Sequence, residues 1–175
     1  MILKGFKEKS NKKYLNKLLS ERQLEVADGD VESLGVILNI DEIDNFDMFK
    51  NLASAFNVRS NKLKIIAFSK NLKDDLKTWD DCFNPKDFGW KGSVKNPELQ
   101  RFLDTEFDVL VSYYLTEALE LKLITAKSKA KLKIGILQSD ERLNDLIIKT
   151  NLKEFDLFKN EAFKYLKILN KIKNE

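Results

Sequence analysis

The sequence predicts an α/β domain of three layers, in which a mixed, mainly parallel sheet of about five strands carries helices on both faces. Three observations predict it. Residues 107–137, FDVLVSYYLTEALELKLITAKSKAKLKIGIL, read as strand, helix and strand. Residues 33–69 show the same alternation, and residues 1–23 and 153–173 add a helical segment at each side. Alternation of strand-like and helix-like periodicity is the pattern of βαβ units.

Taken in order, residues 3–23 form the first helix, with Phe6, Tyr14, Leu15, Leu18 and Leu19 on one side. An Asp-Gly-Asp turn at 28–30 leads to the first strand, 33–39. Phe46, Phe49, Leu52, Ala53 and Phe56 then recur at steps of three and four, with Asp44 or Asn45 as cap and further acids near the helix start to suit its dipole. Ile65, Ile66, Ala67 and Phe68 are the apolar centre of a second strand, 63–69.

Residues 70–96 mix aromatic residues with Pro85, Gly89 and Gly92. They predict a short helix near 71–79 and then a loop or short edge strand around Trp90, whose aromatic residues form a lid packed on the core. Asn96 and Pro97 open the next helix, with Leu99, Phe102 and Leu103 inward. In the 107–137 unit the two strands are 108–114 and 131–137, and Thr116 caps a helix that turns Leu115, Ala118, Leu119, Leu123 and Ala126 inward. The crossover is expected to be right-handed. About seven residues precede the apolar run 146–150. A parallel return needs a dozen or more, so this last strand is expected antiparallel or apart at an edge. The closing helix, 153–173, buries Phe155, Phe158, Ala162, Phe163, Leu166, Leu169 and Ile172.

Composition bounds the chemistry. A chain of 175 residues with 43% hydrophobic and 34% charged residues suits a single ordered domain, 1–175. Such a chain buries roughly 70% of its unfolded surface. Cys82 is the single cysteine and histidine is absent, which removes an internal disulfide, the commonest metal ligand and any Ser-His or Cys-His nucleophile pair. The apolar positions of residues 1–19 are interrupted by Lys and Asn, unlike a signal peptide or a spanning helix, so a cytoplasmic protein without membrane insertion is expected.

Two candidate surfaces emerge. In a doubly wound sheet a ligand sits beyond the carboxyl ends of the strands. There the residues are Asn39, Ser69, Tyr113, Tyr114 and Thr116, with Asp41, Lys70 and Ser112 beside them. No G-x-G-x-x-G and no G-x-x-x-x-G-K-[ST] occurs, and between residues 25 and 57 eight acids face one lysine, so phosphate is repelled from the first βα turn. No carboxylate pair stands out for catalysis and no calcium-loop spacing is present; no catalytic residue, metal or cofactor is predicted.

The second surface is basic. Lys4, Lys7, Lys9, Lys12, Lys13, Lys17 and Arg22 outnumber Glu8 and Glu21, giving residues 1–23 a net +5 in a chain of +3 overall. Lys127, Lys129, Lys131 and Lys133 follow as a lysine run, with alternation setting at least the last two on one face of the strand 131–137, readable as an edge guard or as an anion-binding row. Function is therefore expected to be non-catalytic: a binding or scaffold protein meeting RNA, a ribonucleoprotein or an acidic protein surface. The alternative is a small-ligand-binding or transferase-like enzyme at the strand ends. A purely structural subunit is a third reading.

The stretch FDVLVSYY and LELKLITAKSKAKLKIGI, from Phe107 to Ile136, resembles the central unit of the Rossmann-like N-terminal half of heptosyltransferase-type glycosyltransferases. That resemblance implies a Rossmann-like fold. The family's nucleotide-sugar domain has no counterpart in these 175 residues, so transferase activity and catalytic residues do not transfer. The whole chain looks like a small, uncharacterised bacterial α/β domain family.

Overall fold

A computed structural model describes residues 1–24, 28–71, 81–136 and 138–173. The short helix expected near 71–79 and the strand end at 137 lie almost wholly outside them. The elements run α1 (Ile2–Glu21), β1 (Leu34–Asn39), α2 (Asp47–Ala55), β2 (Leu63–Phe68), β3 (Cys82–Phe83), α3 (Pro97–Asp104), β4 (Val109–Tyr113), α4 (Leu119–Lys127), β5 (Leu132–Ile136), β6 (Leu146–Ile148) and α5 (Phe155–Ile168).

The six strands form one sheet in the order β3-β2-β1-β4-β5-β6, every neighbour parallel. The expected α/β architecture is there, with one strand more than expected and, among the described residues, no antiparallel strand in the sheet. β6 pairs Leu146 with Ile134 and Ile148 with Ile136. A three-residue strand needs no long helix to bring it back. A single 3-10 turn, Glu141–Leu143, lifts the chain over the sheet edge, and Leu143 is buried beneath it. Asp145 then fixes the register: its N–H donates to the Lys133 carbonyl at 2.8 Å, and its carboxylate accepts the Lys133 N–H at 2.7 Å.

Alternation along the strands divides the core into two layers. Val36, Leu38, Val111, Tyr113, Ile134 and Ile136 face α2 and α5, where Phe49, Leu52, Phe158, Ala162 and Leu166 cover them. Ile37, Ile66, Phe68 and Leu110 face α1, α3 and α4, with Leu15, Leu99, Phe102, Leu121 and Ile124 opposite. Strand order reverses between β1 and β4, and the crossover helix changes face with it, from α2 on one side to α4 on the other. A single crossover hand requires that change. The close approach of Phe107 explains Gly35: a Cβ there would stand 2.7 Å from the Phe107 ring.

Two local expectations change. Thr116 does not cap α4, which starts three residues later behind Ala118, because the Thr116 hydroxyl is engaged elsewhere. The aromatic residues of 81–96 also divide. Phe83 and Phe88 enter the core on the α1 side, whereas Trp90 stays about half exposed and outside both core layers.

Candidate functional site

The polar residues at the strand ends build one continuous set of hydrogen bonds. Asn39 closes β1; its side-chain oxygen accepts the Asp41 N–H at 3.0 Å, and its amide donates to the Thr116 hydroxyl at 3.2 Å. That local turn aims the next two carboxylates in opposite directions. Asp41 reaches β2, accepting from the Ser69 hydroxyl at 2.9 Å and the Lys70 N–H at 3.0 Å. Glu42 crosses the switch between β1 and β4, accepting from the N–H groups of Leu115 (3.1 Å) and Thr116 (2.8 Å) and from the Thr116 hydroxyl (2.6 Å).

Backbone N–H groups at a switch point are where such folds hold an anion. Here the anion is Glu42. Neither acid serves the dipole of α2, which begins at Asp47 and has Asp47 alone in its first turn. A similar internal carboxylate lies further along: Glu117 accepts from Lys122 and from the Ser139 hydroxyl and N–H, contacts that bring its carboxyl down to about 2.

Of the residues expected to bind a ligand, Asn39, Ser69 and Thr116 are thus brought into one network through Asp41 and Glu42, which the acid count alone did not single out. The two tyrosines are not there. Tyr113 turns into the α5 layer, donating to the Leu152 carbonyl at 3.1 Å, and burial pushes its phenol up to about 12. Tyr114 is buried in the other layer against the Thr125 hydroxyl at 2.7 Å, and burial likewise raises its pKa. Among the described residues no group of three or more Cys, Asp or Glu is placed to hold a metal ion.

The expected lysine stripe is not a row. β5 lies inside the sheet, between β4 and β6, so its lysines guard no edge. Lys133 is fully buried; its ammonium donates to the carbonyls of Thr125 (2.6 Å) and Ala126 (3.1 Å) at the end of α4, and burial brings its pKa down to about 7. Lys131 pairs with Asp108 at 2.8 Å, Lys129 stands 3.8 Å from Asp104, and Lys127 donates to the Gly92 carbonyl at 2.5 Å. Alternation failed as a guide because β5 has helix α4 over the lysine side and α5 over the other, leaving no open face.

The basic character of α1 does reach solvent. Asn11, Leu15 and Leu19 are its buried residues. At 3.6 residues per turn, Ile2, Phe6, Lys9, Lys13 and Lys17 fall within about 80° of one another and roughly 160° from that buried stripe. All five are exposed. Among the described residues the Lys9 and Lys13 side chains find no ion-pair or hydrogen-bond partner, and Lys17 stands 4.0 Å from Glu21. Lys4 is exposed as well, Lys12 pairs with Glu8 at 2.7 Å, Lys7 donates to the Phe88 carbonyl at 3.3 Å, and Arg22 is bound to Asp145 at 2.5 Å.

What fixes this helix on the domain is Asn11. Its amide donates to the Gly89 carbonyl at 3.0 Å and its oxygen accepts the Gly92 N–H at 2.8 Å, so one side chain clamps both ends of the turn that carries Trp90. A buried Asn inside a helix is the kind of signal the sequence offered and periodicity passed over.

Comparison with known proteins gives a match to one family model, described as a family of unknown function, DUF6913, over residues 7–169. No curated protein and no solved structure matches the chain, so the resemblance to glycosyltransferases expected from residues 107–136 finds no support.

Proposed function

The chain belongs to the DUF6913 family of unknown function, and we propose that it acts without catalysis, as a binding or scaffold protein that meets an anionic partner across the outer face of α1. The single observation that supports this is the stripe of Lys9, Lys13 and Lys17, exposed on a helix whose opposite side is anchored by Asn11, Leu15 and Leu19. Cations with internal partners hold the fold, as Arg22 and Lys131 do. Cations without them, on a rigid helix, offer charge to a partner at little ordering cost. The single Cys82, buried with its thiol pushed up to about 11 by burial, suits a reducing, cytoplasmic setting.

The alternative, a small ligand or substrate at the strand ends, gains less support. Glu42 holds the N–H groups that such a ligand would use. The discriminating experiment is affinity capture on immobilised RNA and on a polyglutamate matrix between low and physiological salt. Salt-dependent retention that disappears in a K9Q/K13Q/K17Q variant is expected. Retention independent of salt, or undiminished by that variant, overturns the proposal.

A further inference from the structure

Trp90 is 49% exposed on a surface where the neighbouring aromatic residues, Phe83 and Phe88, are buried. Among the described residues no hydrogen bond or ring contact engages its indole. The turn beneath it is held from several sides. The Gly89 N–H donates to the Ser93 carbonyl at 2.8 Å, the Ser93 N–H returns to the Trp90 carbonyl at 3.1 Å, and Asn11 clamps the two glycines. Lys91, at φ 52, and Gly92, at φ 66, both occupy the left-handed region, and a Cβ on Gly92 would stand 2.5 Å from the Tyr14 ring. A backbone conformation unfavourable for a lysine is kept here by surroundings that over-determine it.

The charged residues of the turn from Gly89 to Lys95, Lys91 and Lys95, are both lysines. Lys91 follows Trp90 directly, and its N–H donates to the Ser10 hydroxyl at 3.3 Å. The Lys95 side chain passes over Gly89, its Cε 3.8 Å from where a Cβ would be. Lys7 reaches the Phe88 carbonyl. No exposed large apolar residue belongs to the turn besides Trp90 itself.

We propose that Trp90, with Lys91 and Lys95 beside it in the turn, is a stacking site for one base of single-stranded RNA, the lysines taking the flanking phosphates. This site rests on the anionic-partner function above and names the partner. An indole face accepts any base, and adjacent ammonium groups take the backbone, which together make a sequence-tolerant single-strand platform. Charge complementarity excludes a basic partner. An acidic protein would need an apolar patch around the anchor, and the neighbours of Trp90 are glycine, serine and lysine. An anionic membrane would need a continuous apolar helix face, whereas the outer stripe of α1 turns from Ile2 and Phe6 to three lysines.

The test uses the full chain carrying W79F, which leaves Trp90 as the one tryptophan. A 15-nucleotide RNA of mixed sequence is titrated while Trp90 emission and the anisotropy of a labelled RNA are read. Quenching of the emission is expected, with W90A binding on the order of tenfold more weakly, W90F keeping most of the affinity and K91Q/K95Q binding more weakly with a shallower salt dependence. Anisotropy that rises without quenching, and that W90A does not change, overturns the stacking site but leaves the anionic-partner function standing. Binding of polyglutamate or of phosphatidylserine vesicles in place of RNA does the same. No salt-dependent binding to any of the three overturns both. Circular dichroism of W90A and W90F separates lost stacking from lost folding.

Discussion

The carboxyl ends of the strands and the outer side of α1 are both rich in charged and polar groups, and they use them in opposite ways. At the strand ends Asn39, Asp41, Glu42, Ser69 and Thr116 find their partners in one another. On α1 the exposed Lys9 and Lys13 side chains have no partner among the described residues. The same division runs through the lysines alone: Lys131 and Lys133 are held by the protein, whereas the α1 stripe is not. Residue type therefore says little about role. What decides it is whether the hydrogen-bonding capacity is consumed inside, because a satisfied buried network contributes to the fold and an unsatisfied exposed one is available to something else.

The largest expected effect tests the inner half of that comparison at Lys133. Its pKa falls from the ordinary lysine value to about 7 in the folded protein. Arg22 beside it also disfavours the charge, and Asp145 favours it. The unfolded chain binds the proton more tightly between about pH 7 and pH 10.5, so stability rises with pH across that window and the gain is absent below it. The slope from this one group approaches about 1.4 kcal/mol per pH unit. Urea midpoints at pH 7, 8 and 9 should climb for the wild type and stay flatter for Lys133→Met, which keeps the volume without the charge. Parallel curves for the two proteins would show that Lys133 does not titrate as its burial requires.

A smaller effect is expected at Glu42. Removing its carboxylate in Glu42→Ala leaves the Leu115 and Thr116 N–H groups to water, and the loss is roughly 1–2 kcal/mol, since hydrogen bonds to a charged group are the stronger kind but these lie at the surface. The sharper readout is rescue. Phosphate should raise the Tm of Glu42→Ala above that in chloride of equal ionic strength and leave the wild type unchanged, because the vacated N–H pair becomes an ordinary anion site. Equal responses would mean that Glu42 does not stand in for an anion.

How much of this was legible in the sequence follows from the same division. The βαβ units announced themselves, since periodicity reports burial and burial fixes the sheet: β4 and β5 fall within the expected strands 108–114 and 131–137. The parallel β6 was not legible, because its register depends on Asp145 pairing with the Lys133 backbone, a contact across twelve residues that no local pattern carries. Nor was the fate of the Lys127–Lys133 lysines, because alternation assigns faces and not their coverage. At the strand ends the topology brings Asn39, Ser69 and Thr116 together, while Tyr113 and Tyr114 turn away into the two core layers, since successive residues of one strand must point to opposite faces. Trp90 read as part of a lid because only tertiary contacts distinguish it from Phe88, which the chain buries two residues earlier.

The smallest expected effect on stability is the one that most sharpens the contrast. Lys9, Lys13 and Lys17 are exposed and, apart from the distant pairing of Lys17 with Glu21, contribute no contact that folding consumes. Gln is nearly as good a helix former as Lys, so each substitution should shift stability by less than about 0.5 kcal/mol. Relief of repulsion between successive lysines on one helix face, Lys9 to Lys13 to Lys17, works in the stabilising direction by a few tenths of a kcal/mol per pair. K9Q/K13Q/K17Q should therefore melt within a degree or two of the wild type while losing its salt-dependent retention on RNA. A variant that melts many degrees lower would place these lysines with the inner groups, as part of what holds α1 on the domain, and the distinction between the two regions would then lie in Asn11 alone.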